Sequence, residues 1–140
     1  MESSNILLEK ETPRRPSILI IDDQISIVEM FVLIFERAGF DVRAFTDGAN
    51  ALQYVQETTK APDVILMDIN LPGVSGIYLL RYLRQRLQLS KTKIAVVSAN
   101  SIALKMPEMK MADAILAKPC SVEELVSTVN ALMQDVVTTS

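Results

Sequence analysis

Five short apolar runs recur along the chain, at 17–21 (SILII), 41–45 (DVRAF), 63–67 (DVILM), 93–97 (KIAVV) and 114–117 (AILA). The third, Val64-Ile65-Leu66-Met67, has no polar alternation, so both of its faces are expected to be covered, as in a parallel sheet with helices on each side. Between most of the runs the apolar spacing changes to that of helices. One helix is predicted over 24–38, stopped by Gly39. A second covers 47–58, with Ala51, Tyr54 and Val55 on one face. A third carries the stripe Ile77, Leu80, Leu83 and Leu87, with Arg81, Arg84 and Arg86 outside. The last opens on Ser121 with Glu124 three residues on, a capping-box pattern, and then buries Leu125, Val129 and Leu132. Strict strand–helix alternation predicts a right-handed, doubly wound α/β fold: a five-stranded parallel sheet with helices on both faces.

One interval fits poorly. The segment NSIALKMPEMKMAD (100–113) is short, and Pro107 interrupts any helix through its middle, so a shortened or broken helix is predicted there. Its Met106, Met109 and Met111 read either as core filler or as an adaptable partner surface.

Composition narrows the class. At 140 residues and 49% hydrophobic, the chain fits one domain with a proper core. A net charge of −3 gives no general basic field for nucleic acid. The longest apolar run, 30–35, is far too short to span a bilayer, so no membrane contact and a cytoplasmic location are expected. Residues 1–15 mix charges and prolines without a secretory signal pattern and read as a flexible tail, followed by a domain over 16–136 and a short tail at 137–140. Cys120 is the single cysteine and histidine is absent, which excludes an internal disulfide, a Cys-cluster or zinc site, and histidine catalysis.

The residues that close the strands carry the chemistry. Asp22 and Asp23 follow the first run, Asp68 the third, Ser98 the fourth and Lys118 the fifth. In a parallel sheet these ends share one edge, where ligands bind. Three carboxylates brought together repel unless a cation compensates them, which implies a hard, oxygen-seeking divalent ion. With three carboxylates and an open site, Mg²⁺ that keeps several waters fits better than an all-protein calcium cage. Aspartate can accept a phosphoryl group as an acyl phosphate, with a metal and a lysine offsetting the transferring charge.

In the combination IDDQ (21–24), MDINLPGVSG (67–76), VVSAN (96–100) and AKPC (117–120), the chain resembles a response-regulator receiver domain of two-component signalling, over about residues 16 to 135. The resemblance implies the flavodoxin-like receiver fold with strand order 2-1-3-4-5. It implies that Asp68 is the phosphorylated aspartate. Asp23, Asp68 and the backbone carbonyl of Asn70 would ligate Mg²⁺, with Asp22 bound mainly through water. Lys118 would pair with the phosphoryl group and the acceptor carboxylate, Ser98 would hydrogen-bond a phosphoryl oxygen, and the Lys118–Pro119 bond would be cis. The expected role is a phosphoacceptor switch, charged by a histidine kinase or phosphotransfer protein. It would not be an enzyme beyond its own phosphorylation and dephosphorylation. A stand-alone receiver with an unnamed downstream protein partner and no direct nucleic-acid contact is expected.

Three departures from the family pattern stand out. The usual aromatic three residues before the lysine is Ile115. The interval from Ser98 to Lys118 is about two residues short, with Met111 where a glycine is usual. The first helix carries Val32 and Leu33 where the family shows polar residues, which reads as extra core packing or as an exposed patch for a partner or a homodimer. Cys120 reads as a small buried filler. A haloacid-dehalogenase-like phosphatase would need a second acid where Asn70 stands. The remaining alternative is a non-phosphorylated receiver-like adaptor acting by protein contacts, and an unused acidic cluster argues against it.

Overall fold

The computed structural model describes residues 14–86 and 91–139, with side chains as far as residue 134. Five parallel strands, β1 (Ser17–Ile21), β2 (Asp41–Phe45), β3 (Val64–Met67), β4 (Lys93–Ser98) and β5 (Ala114–Ala117), pair in the order β2-β1-β3-β4-β5. The helices are α1 (Ile25–Arg37), α2 (Gly48–Glu57), α3 (Gly76–Arg86) and α4 (Val122–Thr139). This is the expected doubly wound sheet. Its last helix continues through 137–139 of the expected C-terminal tail. The N-terminal tail 1–13 and Leu87 lie outside the described residues.

Burial explains the strand patterns. β3 is buried at every position and β1 and β4 at all but their first, because both of their faces are covered; the edge strands β2 and β5 keep exposed residues. On one face Leu19, Ile21, Ile65, Met67, Ile94 and Val96 pack against Ala51 and Val55 of α2 and Leu79, Leu80 and Leu83 of α3. On the other, Ile18, Ile20, Leu66 and Val97 pack against Phe31 and Phe35 of α1 and Leu125, Val129 and Leu132 of α4.

The helix ends obey local chemistry. Asp47 accepts from the Asn50 amide at 2.7 Å, capping α2. The capping box of α4 is complete: the Glu124 amide donates to Ser121 Oγ and the Ser121 amide donates to Glu124 Oε1. α1 ends before Gly39, whose φ of +94° favours glycine.

Between β4 and β5 there is no α-helix. Two 3-10 turns stand there, Ala103–Lys105 and Pro107–Met111, with Pro107 at the first position of the second. Met109 is buried in the core and Met111 packs partly against it, whereas Met106 is exposed. The core-filler reading therefore holds for Met109 and Met111 alone.

Four local expectations need correction. Arg84 does not lie outside: its guanidinium donates to Met111 O, Thr92 O and Asp113 Oδ2, clamping the end of the 3-10 segment onto α3. The α3 stripe gains Leu79 beside the expected Leu80 and Leu83, all three fully buried, while Ile77 is only partly buried. The described end of the expected tail is fastened: Arg14 donates to Asp63 at 3.0 Å, and Arg15 donates to the Gly39 and Phe40 carbonyls that follow α1. Asp63 precedes β3 rather than opening it and binds the amide and hydroxyl of Ser17. On α1, Val32 packs against the core while Met30 and Leu33 are exposed.

Candidate functional site

β1 is flanked by β2 on one side and β3 on the other, so the chain leaves it in opposite directions and a crevice opens at its carboxyl end. Ile21 and Met67 are register partners, which sets Asp22 and Asp68 on neighbouring strand ends. Backbone bonds fix both: the Asp22 amide donates to Phe45 O, and the Asp68 amide to Ile21 O at 2.9 Å. Asp22, Asp23 and Asp68 bring one carboxylate oxygen each within 4.8 Å of one another. Asp22 (2% exposed) and Asp68 (6%) are buried, and Asp23 faces solvent.

Lys118 enters from β5 and answers this charge. Its Nζ donates to Asp22 Oδ2 at 2.7 Å and to Asp68 Oδ2 at 2.9 Å. Burial alone lowers the lysine pKa, but the hydrogen bonds and charges of Asp22 and Asp68 outweigh it, so the net shift is upward and the ammonium is fully charged at neutral pH. The remaining oxygens are also engaged. Asp22 Oδ1 accepts from the Gln24 amide and Asp68 Oδ1 from the Asn70 amide. The Lys118–Pro119 bond is cis, as the resemblance implied.

Ser98 is fully buried at the end of β4, beside Ala117. Its hydroxyl accepts from the Asn100 amide at 3.1 Å, which leaves the hydroxyl proton free to be given to another oxygen. Asn70 is exposed, and its side-chain oxygen accepts from Asn100 Nδ2. The structure thus gathers Asp22, Asp23, Asp68, Asn70, Ser98 and Lys118 at one edge of the sheet. A carboxylate-rich, oxygen-only donor set of this kind suits Mg²⁺.

Residues 18–130 match the family model for the response regulator receiver domain. The chain belongs to this family. It is 34% identical over 122 residues to the DNA-binding response regulator MtrA of Mycobacterium tuberculosis, covering 86% of this chain and 51% of that protein. It therefore spans about half the length of the first curated relatives it matches. It is 29% identical to the polar-differentiation response regulator DivK of Brucella anthropi, over 85% of this chain and 97% of DivK. Among solved structures, the Francisella response regulator 1452 receiver domain matches with a TM-score of 0.74 at 34% identity, over 86% of this chain and 98% of that one. TrrA of Thermotoga maritima, solved with Mg²⁺ and BeF, matches with a TM-score of 0.74 at 25% identity, over 84% and 98%.

Two residues inside the quoted motifs, Gly76 and Asn100, were given no role from sequence. A Cβ on Gly76 would overlap the backbone of Ile69, the residue after Asp68, so only glycine lets the start of α3 sit behind the acidic loop. The signal was a glycine at the first position of an amphipathic helix. The second is Asn100, a polar residue at fixed distance from Ser98. Cys120 is half-buried; burial first and the Glu124 charge second push its thiol pKa up, against the opposing charge of Lys118, so it is a poor nucleophile.

Proposed function

We propose that this receiver domain is a phosphorylation-controlled switch in which Asp68 takes a phosphoryl group from a histidine kinase or a phosphotransfer protein. The observation that carries the reading is the Lys118 ammonium, held between Asp68 and Asp22 beside the exposed Asp23. An Asp68 oxygen forms the new P–O bond as the donor's bond to phosphorus breaks, and the leaving group keeps its electron pair. Lys118 offsets the charge on the transferring group, and the Ser98 hydroxyl donates to a phosphoryl oxygen. Asp23, Asp68 and the Asn70 carbonyl would hold Mg²⁺, with Asp22 reaching it through water. The ion supplies charge neutralisation of the phosphoryl oxygens when bound.

The donor's approach is open. An apolar groove of about 420 Å³ beside Lys118, lined by Ile27, Met30, Phe31, Ala99, Pro119 and Cys120, offers an apolar donor surface a seat next to the acceptor. Among the described residues no helix is long and apolar enough to cross a membrane. We read the output as a change in protein–protein contact.

The test is incubation with Mg²⁺ and acetyl phosphate followed by intact-mass measurement. A single phosphoryl adduct on the wild type and none on Asp68→Asn is expected. An unmodified wild type that retains partner binding would make the chain an adaptor instead.

A further inference from the structure

The outer face of α1 carries a row of apolar side chains at three-residue steps. Ile27, Met30 and Leu33 follow one another along the helix, and Met30 (44% exposed) and Leu33 (49%) stand out into solvent. Ile27 and Met30 also line the apolar groove of about 420 Å³, together with Phe31, Ala99, Pro119 and Cys120. An exposed apolar knob, Leu33, therefore adjoins an apolar hole on one face of the molecule.

Charges of opposite sign bound the row. Asp23 precedes α1 and Arg37 ends it, both exposed and equally far from Met30 in the chain, roughly 10 Å along the helix axis. Among the described residues neither forms an ion pair. Glu29 and Glu36, the other charges of α1, lie roughly 100° or more around the helix from Met30 and so off this row. Such a face is complementary to itself. When two copies of α1 run antiparallel with the two-fold axis at Met30, Leu33 of one copy meets Ile27 and the groove of the other, and Arg37 meets Asp23.

We propose that this face binds a second copy of the chain, which packs its α1 antiparallel across Met30, seats its Leu33 in the groove and brings its Arg37 to Asp23. Lys118 bonds to Asp22 and Asp68 and leaves Asp23 without a cation, so the second copy supplies the charge that the acidic edge lacks. The contact is isologous, and each copy gives and receives the same two groups. Its consequence for phosphoryl transfer rests on the receiver reading above: the pair covers the donor's seat and sets a guanidinium at a carboxylate that would hold Mg²⁺, which makes it the form closed to a donor.

The test is sedimentation equilibrium of the full chain in metal-free buffer, at concentrations from about 10 to about 500 µM, the range suited to a small and weak interface. The wild-type mass is expected to climb from one chain toward two. Leu33→Asp, at an exposed position that leaves the core intact, is expected to stay at the mass of one chain throughout. Asp23→Asn and Arg37→Gln are each expected to weaken association by about fivefold, because the symmetry removes two exposed ion pairs at once. The double variant is expected to lose no more than either single one, since both remove the same contact. A wild type that keeps the mass of one chain at every concentration, or a Leu33→Asp that associates as tightly as the wild type, would overturn the pair. Losses that add for Asp23→Asn and Arg37→Gln would overturn their contact. None of these measurements involves a metal or a phosphoryl group, so their failure leaves the receiver reading standing, and failure of the acetyl phosphate labelling leaves the pair standing.

Discussion

Lys118 Nζ lies 2.7 Å from Asp22 Oδ2, nearer than its 2.9 Å to the acceptor candidate Asp68. The lysine thus serves two buried carboxylates, one of which the family resemblance had assigned mainly to metal-bound water. Removing it leaves both charges uncompensated in a site of low solvent exposure.

Lys118→Ala is therefore expected to lower stability by about 3 kcal/mol in metal-free buffer, the low end of the range for a broken buried pair. Mg²⁺ at 100 times its dissociation constant should restore about 2.7 kcal/mol by binding the folded state alone. Urea denaturation with and without Mg²⁺ measures both. A loss unchanged by Mg²⁺ would mean that the ion does not meet these carboxylates. Because the folded lysine pKa is raised, its stabilisation is complete below the unfolded value of about 10.4 and fades only as pH rises through the folded value.

Gly76 governs the same site from behind. An added methyl collides with the Ile69 backbone, which cannot yield as a flexible side chain would. Gly76→Ala is expected to destabilise the fold by about 3 kcal/mol, at the upper end of overpacking effects, and to weaken Mg²⁺ binding by displacing Asp68. Thermal melts combined with Mg²⁺ titration check this. Normal stability and normal affinity together would show that α3 can shift without moving the acidic loop.

Asp63 supplies the acid side of the pH profile. Burial raises its pKa, but hydrogen bonds from Arg14 and from the Ser17 amide and hydroxyl, with the Arg14 charge, carry the net shift downward. Its stabilisation is present above the unfolded value of about 3.9 and is lost as pH falls through the lower folded value. Asp63→Asn is expected to reduce stability at pH 7 by about 2 kcal/mol and to flatten the decline below pH 4. Parallel acid denaturation curves for the two proteins would remove Asp63 as a source of that decline.

The strands, helix caps and site residues were legible because each rests on local chemistry. A run such as 64–67 must be covered on both faces, Ser121 with Glu124 caps whichever helix follows, and Asp22, Asp68, Ser98 and Lys118 close strands that a parallel sheet brings to one edge. What stayed hidden depends on distant partners. Arg84 looks like a solvent-facing cation until Met111, Thr92 and Asp113 arrive from 8 to 29 residues away. Arg14 and Arg15 look like tail until Asp63 and the end of α1 are placed beside them. The overlap of Gly76 with Ile69 follows from a close approach of backbones that no spacing rule encodes.

Ile115 stands where the family usually has an aromatic ring. It pairs in register with Val96, on the sheet face covered by the 3-10 segment, and is 42% exposed there because no α-helix lies over it. A branched aliphatic offers only small rotamer shifts in response to a displaced Ser98. Coupling through β5 is therefore expected to fall below about 1 kcal/mol, or roughly fivefold in partner affinity. Beryllofluoride should shift amides strongly at 99–111 and weakly at 114–117. Ile115→Tyr, at an exposed position, should change stability by no more than about 0.5 kcal/mol and should enlarge the response at 114–117. A wild-type response centred on Ile115 and its strand would instead show that β5 carries the signal without a ring.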